Sequence, residues 1–112
     1  MATIEALRAY GANVDDGLRR CMNMEAFYLR LVSSLKGDPG IAQLKAALEA
    51  NDLDRTYQLA HERKGTYGNL SLTPILKPMS ELSDLLKVHT RMDYGPLMDE
   101  ILAQQKKLDE VL

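Results

Sequence analysis

Leu59-Ala60-His61-Glu62-Arg63-Lys64-Gly65-Thr66-Tyr67-Gly68-Asn69-Leu70 is the stretch on which the reading of this chain turns. It fits a helix segment. At about 100° per residue, His61, Lys64, Gly65 and Gly68 fall on one stripe, at about 0°, −60°, +40° and −20°. A helix interior disfavours glycine by roughly 1 kcal/mol relative to alanine. Two glycines on a histidine's own face therefore need a reason. The simplest is that something large comes close to the imidazole, with a lysine beside it to meet negative charge.

Helix signals recur on both sides of this run, and no alternation of apolar and polar residues is long enough for a strand. Thr3 opens a first short helix with Ile4 and Leu7 apolar and Gly11 past its end. Asn13, with Asp16 three residues on, opens a second whose Val14, Leu18 and Cys21 face inward. A third starts after Asn23, carries Phe27, Leu31 and Leu35 at helical spacing and stops at Gly37. Asp38-Pro39 pairs an N-cap carboxylate with proline at the first helical position, and Ile41, Leu44 and Leu48 follow on one face. Asn51 is expected to cap the helix that carries His61 and ends near Leu70. Thr73-Pro74 starts another, with Ile75, Met79, Leu82 and Leu86 as its seam and Pro78 expected to bend or loosen its start. Asp93 is expected to cap the last helix, with Leu97, Ile101, Leu108 and Val111 or Leu112 inward.

The fold class expected is all-α. Four helices of about 13 to 19 residues joined by short turns favour antiparallel neighbours, so residues 38–112 are expected to form an antiparallel four-helix bundle. The short helices of residues 1–37 would pack across it, in a single domain over residues 1–112.

With 112 residues, 46% of them hydrophobic, the chain is long and apolar enough to fold around one core. A net charge of −2 without a basic stripe argues against nucleic acid as partner. The one cysteine, Cys21, fits a reducing compartment and a buried small hydrophobe. No apolar run approaches the ~18 residues of a membrane span, and Met1–Tyr10 lacks the order of a signal peptide. A cytoplasmic monomer away from the membrane is the expectation. Met22, Met24, Met79, Met92 and Met98 are expected in the core or in turns, and His89 sits near a helix C-terminus, where partial positive charge is favourable.

The residues around His61 resemble the histidine-containing phosphotransfer (HPt) domain family of two-component phosphorelays. The family pattern runs roughly Ala-His-x-Leu-Lys-Gly, then small residues, then Asn-Leu-Gly-Leu. Here it is Ala60-His61-Glu62-Arg63-Lys64-Gly65, Thr66-Tyr67-Gly68, Asn69-Leu70-Ser71-Leu72. The stretch Gly11–Arg20 and the run Phe27-Tyr28-Leu29-Arg30-Leu31 are similar to the family's N-terminal segment. The chain departs from the pattern in two places. Arg63 replaces an apolar residue, and Ser71 replaces the glycine that often closes the helix. Arg63 is expected to lay its stem on the bundle and pair its head with a carboxylate or reach solvent. Arg63→Leu is on that basis expected to be neutral or stabilising.

The resemblance implies a phosphorelay intermediate that is not an enzyme. His61 would accept the phosphoryl group from an aspartyl-phosphate on a receiver domain and pass it to a second receiver. Lys64 would meet the phosphoryl oxygens, and Gly65 and Gly68 would leave room for the receiver's rim. The partners implied are response-regulator receiver domains and a hybrid sensor histidine kinase. The receiver would bring the Mg²⁺, so no cofactor or metal ligand is expected in this chain. A neutral imidazole is a competent nucleophile, since the free side chain titrates near ~6.5. The alternative is an HPt-like adaptor that binds receivers without taking phosphate. A di-iron bundle needs Glu-x-x-His, whereas Gln58 and Leu86 stand three residues before the two histidines. A sensor-kinase phosphoacceptor helix would continue with Thr-Pro where Lys64-Gly65 stands.

Overall fold

The structure is a computed structural model that describes residues 2–112. It holds α1 (Ile4–Tyr10), α2 (Val14–Arg20), α3 (Glu25–Ser33), α4 (Pro39–Glu49), α5 (Leu53–Asn69), α6 (Thr73–Lys87) and α7 (Gly95–Val111), with no strand among the described residues. The all-α expectation therefore holds. The long axis measures 41 Å against 23 and 19 Å across it.

α5 lies between α4 and α6; α6 packs in turn on α7, and α1 closes on α7. Gly68 faces Leu76 and Lys64 faces Asp84, so α5 and α6 run in opposite directions. The core is built from the seams that the spacing marks: Ile41 and Leu44 of α4, Ile75, Met79 and Leu82 of α6, and Ile101 and Leu108 of α7 are all sealed from solvent. Tyr28 and Tyr67 are its largest members, and both are fully buried.

The caps explain most boundaries. The side chains of Thr3, Asn13 and Asp38 accept from the backbone N–H groups of Ala6, Asp16 and Gly40, satisfying donors that the first turn leaves unpaired. Asn51, expected to cap α5, instead adopts φ +56° and ends α4, with its N–H donating to Leu48 O and the Asp52 N–H to Ala47 O. Asp52 is the cap, accepting from Arg55 N at 3.2 Å. Asp93 does hold the start of α7, through a 2.8 Å bond from Gly95 N, although Tyr94 is the residue that flanks the helix. α6 continues through the buried Pro78.

The expectations for α3 are corrected. α3 ends at Ser33, before the turn at Gly37, and its inward residues are Tyr28 and Val32; Phe27 is exposed and Leu31 half-buried. Tyr28 wins because its ring fills the space over Gly17 while its hydroxyl donates to Leu70 O at 3.0 Å. Leu18 and Leu48 are half-buried at the core's edge, unlike Val14, Cys21 and Ala47. Met79 and Met98 are core residues, and Met22, Met24 and Met92 lie in the connections between helices with their side chains exposed.

The N-terminal helices clamp the end of α5. Besides the Tyr28 bond, Asn13 N donates to Ser71 O at 3.0 Å and the Ser71 hydroxyl donates to the Asp16 carboxylate. The C-terminal turn of the His61 helix is thus fixed by residues about fifty positions upstream.

Candidate functional site

His61 sits in the middle of α5 with its side chain exposed. One turn earlier, Tyr57 stacks on it, with ring centroids 5.8 Å apart and planes at 29°. No hydrogen bond holds the imidazole among the described residues, and the Tyr57 ring is the aromatic face it packs against. Sequence reasoning missed Tyr57; its signal was an aromatic four residues before the histidine, on the same helix face.

Lys64 lies half-buried one turn after His61, with Nζ 3.1 Å from Asp84 Oδ1 on α6. Side-chain exposures of 38% and 66% make this an exposed pair, worth about 0–1 kcal/mol. Such a tether is easily exchanged for a better anion. The stripe expected from spacing is present as a surface: His61 and Gly65 are exposed, Lys64 and Gly68 half-buried.

The seven glycines of the chain divide into two groups. Gly11 and Gly37 have φ of +109° and +63°, where a side chain is strained. At Gly17 a Cβ would meet the Tyr28 ring at 2.6 Å, at Gly40 the Arg63 side chain at 2.9 Å, and at Gly95 the Asp93 carboxylate at 3.0 Å. Gly65 and Gly68 have no such reason. Both sit inside α5; a Cβ at Gly65 meets nothing within 4 Å, and one at Gly68 makes ordinary contact with Leu76 at 3.6 Å. The fold would accept alanine at either place and gain roughly 1 kcal/mol of helix propensity from each. The two glycines that flank His61 are the two with neither a left-handed φ nor any atom closer than 3.6 Å to an added Cβ.

Arg63 points to the opposite side of α5 and pairs its head with carboxylates, as expected; one of them is buried, and that changes the effect to be expected of Arg63→Leu. Asp38, only 6% exposed, receives three hydrogen bonds. They come from Arg63 Nη1 at 2.8 Å, Tyr67 Oη at 2.8 Å and Gly40 N at 2.9 Å. Arg63 Nη2 reaches Glu62 at 2.7 Å. Burial pushes the Asp38 carboxyl upward, but the Arg63, Gly40 and Tyr67 donors outweigh it and hold the pKa below the ordinary carboxylate value. Burial and the neighbouring carboxylate push the Tyr67 phenol well above its usual value, so it stays a donor. Arg63 is thus a structural residue that ties α5 to the start of α4, and its removal takes the cation away from a buried carboxylate.

Ser71, the other departure, takes φ +55°, the left-handed geometry that glycine adopts without strain. Its N–H donates to Gly68 O and that of Leu72 to Tyr67 O, which closes α5 in the same way a glycine would. The bond to Asp16 offsets part of the strain.

His89 lies away from this stripe, at φ +56° past the end of α6. Among the described residues no three His, Cys, Asp or Glu side chains are grouped to hold a metal, and no helix is long and apolar enough to cross a membrane. No family model, curated protein or solved structure matches the chain.

Proposed function

We propose that the chain is a phosphorelay intermediate of the HPt type, with His61 as phosphoacceptor and the Lys64, Gly65 and Gly68 stripe as its receiver-docking face. The observation that carries this reading is the pair of glycines beside an exposed histidine, costly to α5 and unexplained by any contact within the chain. A residue choice that weakens a helix without serving the fold points to a requirement from outside the molecule. A convex partner that must bring a reacting atom within about 3 Å of the imidazole supplies one.

In this reading α4 to α7 act as an antiparallel four-helix bundle, a rigid post on which the His61 ring is presented. The Nε2 lone pair forms the N–P bond while the receiver's aspartyl O–P bond breaks and its carboxylate leaves with the electron pair. Transfer onward reverses these steps on a second receiver. Lys64 exchanges Asp84 for the phosphoryl oxygens, a charge-assisted contact stronger than the exposed pair it gives up. Tyr57 keeps the ring from rotating away. The receiver brings the Mg²⁺ and its acidic cluster, and a hybrid sensor histidine kinase stands upstream in the same cytoplasmic relay.

The glycines bear on docking, and docking is where they are tested. A receiver that binds the wild-type chain should bind Gly68→Gln about tenfold more weakly, while the melting temperature of the variant is unchanged or higher. Equal binding would remove the stripe from the interface. An adaptor that takes no phosphate would share this docking face, and labelling of His61 separates the two.

A further inference from the structure

A cavity of about 560 Å³ opens where the first turns of α5, the end of α6 and the α6–α7 connection meet. That volume falls within the range of sites that enclose small organic ligands, about 300–1,000 Å³. Its floor is apolar and closed: Leu86 and Tyr94 are buried, and Tyr57 forms a wall with an aromatic face. At its mouth stand Leu53 and Met92, large apolar side chains left 40% and 45% exposed. The polar lining is biased toward positive charge. Lys87 and Arg91 face it and are in no ion pair among the described residues, whereas Asp54 is its one carboxylate.

We infer that this cavity is a binding site for a small amphipathic carboxylate, an aromatic or branched apolar body bearing one acid group. The chemistry of the lining selects this class. The apolar body covers Leu53, Met92 and the Tyr57 ring, removing apolar surface from water. The acid group stays at the mouth, between Lys87 and Arg91, where the charges lack a partner and Arg can grip a carboxylate through two parallel N–H donors. A neutral body would use the floor but leave the cations unpaired. A phosphate-rich ligand would need more fixed positive charge than Lys87 and Arg91, facing Asp54, provide, with His89 as the one further basic side chain of the lining. The site does not depend on the phosphotransfer reading; it touches that reading only through Tyr57, which forms the cavity wall and stacks on His61.

The test uses 1-naphthoate and its neutral isostere 1-naphthamide as probes on the isotope-labelled chain, followed by amide chemical shifts. 1-Naphthoate should give saturable, one-to-one shifts concentrated at Leu53, Tyr57, Arg91 and Met92. 1-Naphthamide should bind about fivefold more weakly. The double substitution Lys87→Ala with Arg91→Ala should weaken naphthoate about fivefold and leave naphthamide unchanged, the size expected for losing exposed charge contacts. Met92→Glu, an exposed loop change that spares the core, should abolish binding of both. Absence of saturable shifts, shifts centred elsewhere, or equal affinity for acid and amide would each overturn the assignment.

Discussion

Arg63→Leu is the substitution on which sequence and structure disagree most sharply. Judged from the helix wheel it trades a semi-buried charge for an apolar side chain and costs nothing. In the structure it leaves Asp38, 6% exposed, with only the Tyr67 hydroxyl and the Gly40 N–H as donors. Breaking a buried ion pair by removing one partner costs about 3–5 kcal/mol. The present case belongs below that range, for two reasons. The Arg63 side chain is 16% exposed, so water reaches part of the pair. Its Nε is buried with no partner, so the wild-type arrangement carries a cost that leucine removes. A net loss of about 2 kcal/mol remains, or about 8 °C in melting temperature for a domain of this size. Asp38→Asn in the Arg63→Leu background should recover part of it, because a neutral amide tolerates the loss of the guanidinium. The pH dependence follows from the lowered Asp38 pKa. A carboxylate depressed in the folded state adds stability above its unfolded value near ~3.9, and that stability is lost as pH falls through the folded value. Arg63→Leu should therefore lose most at neutral pH and approach wild type in acid. Thermal melts at neutral and acid pH measure both effects. A variant as stable as wild type at pH 7, or more stable, would mean that the Asp38 carboxylate does not need the guanidinium and that the helix wheel alone was sufficient.

Gly65→Ala should raise stability by about 1 kcal/mol, since its Cβ enters open space, whereas Gly17→Ala should lower it by about 1–3 kcal/mol because its Cβ lies 2.6 Å from a Tyr28 ring held by its bond to Leu70; paired melts check the contrast, and two losses would mean that Gly65 serves the fold after all. Lys64→Ala should slow phosphoryl transfer about tenfold while receiver affinity changes little, read from one transfer time course and one titration. Asp84→Asn frees Lys64 from its 3.1 Å pair and should leave the melt within about 1 kcal/mol of wild type while transfer stays as fast or faster; a slowing as large as that of Lys64→Ala would show that Asp84 positions the lysine.

What can be read from the sequence is local. Thr3, Asn13 and Asp38-Pro39 mark real helix starts because a capping oxygen and the amide it satisfies lie two or three residues apart. At Asn51-Asp52 two good caps are adjacent. The choice is made by the end of α4, which takes Asn51 into the left-handed region and passes the cap to Asp52. α3 presents apolar residues on two stripes, Phe27–Leu31 and Tyr28–Val32. The stripe that turns inward is chosen by a groove over Gly17 and a free carbonyl at Leu70, both remote in sequence. The same holds for the site. His61, Lys64 and the glycines share one turn spacing and can be placed from it, as can the exposure of their stripe. Asp38 is recognisable as a cap, but its second oxygen serves Arg63 and Tyr67, 25 and 29 positions away. No local pattern announces that bond.

The proposed function rests on His61 taking phosphate from a receiver. Mixing the chain with receiver domains that carry radiolabelled aspartyl-phosphate in Mg²⁺, and following the label, tests that step itself. Label should appear on the wild-type chain and on His89→Gln, stable in alkali and lost in acid as an N–P bond requires, and none should appear on His61→Gln or with ATP alone. Label that survives the loss of His61, or a chain that binds receivers and never becomes labelled, would rule out His61 as the phosphoacceptor.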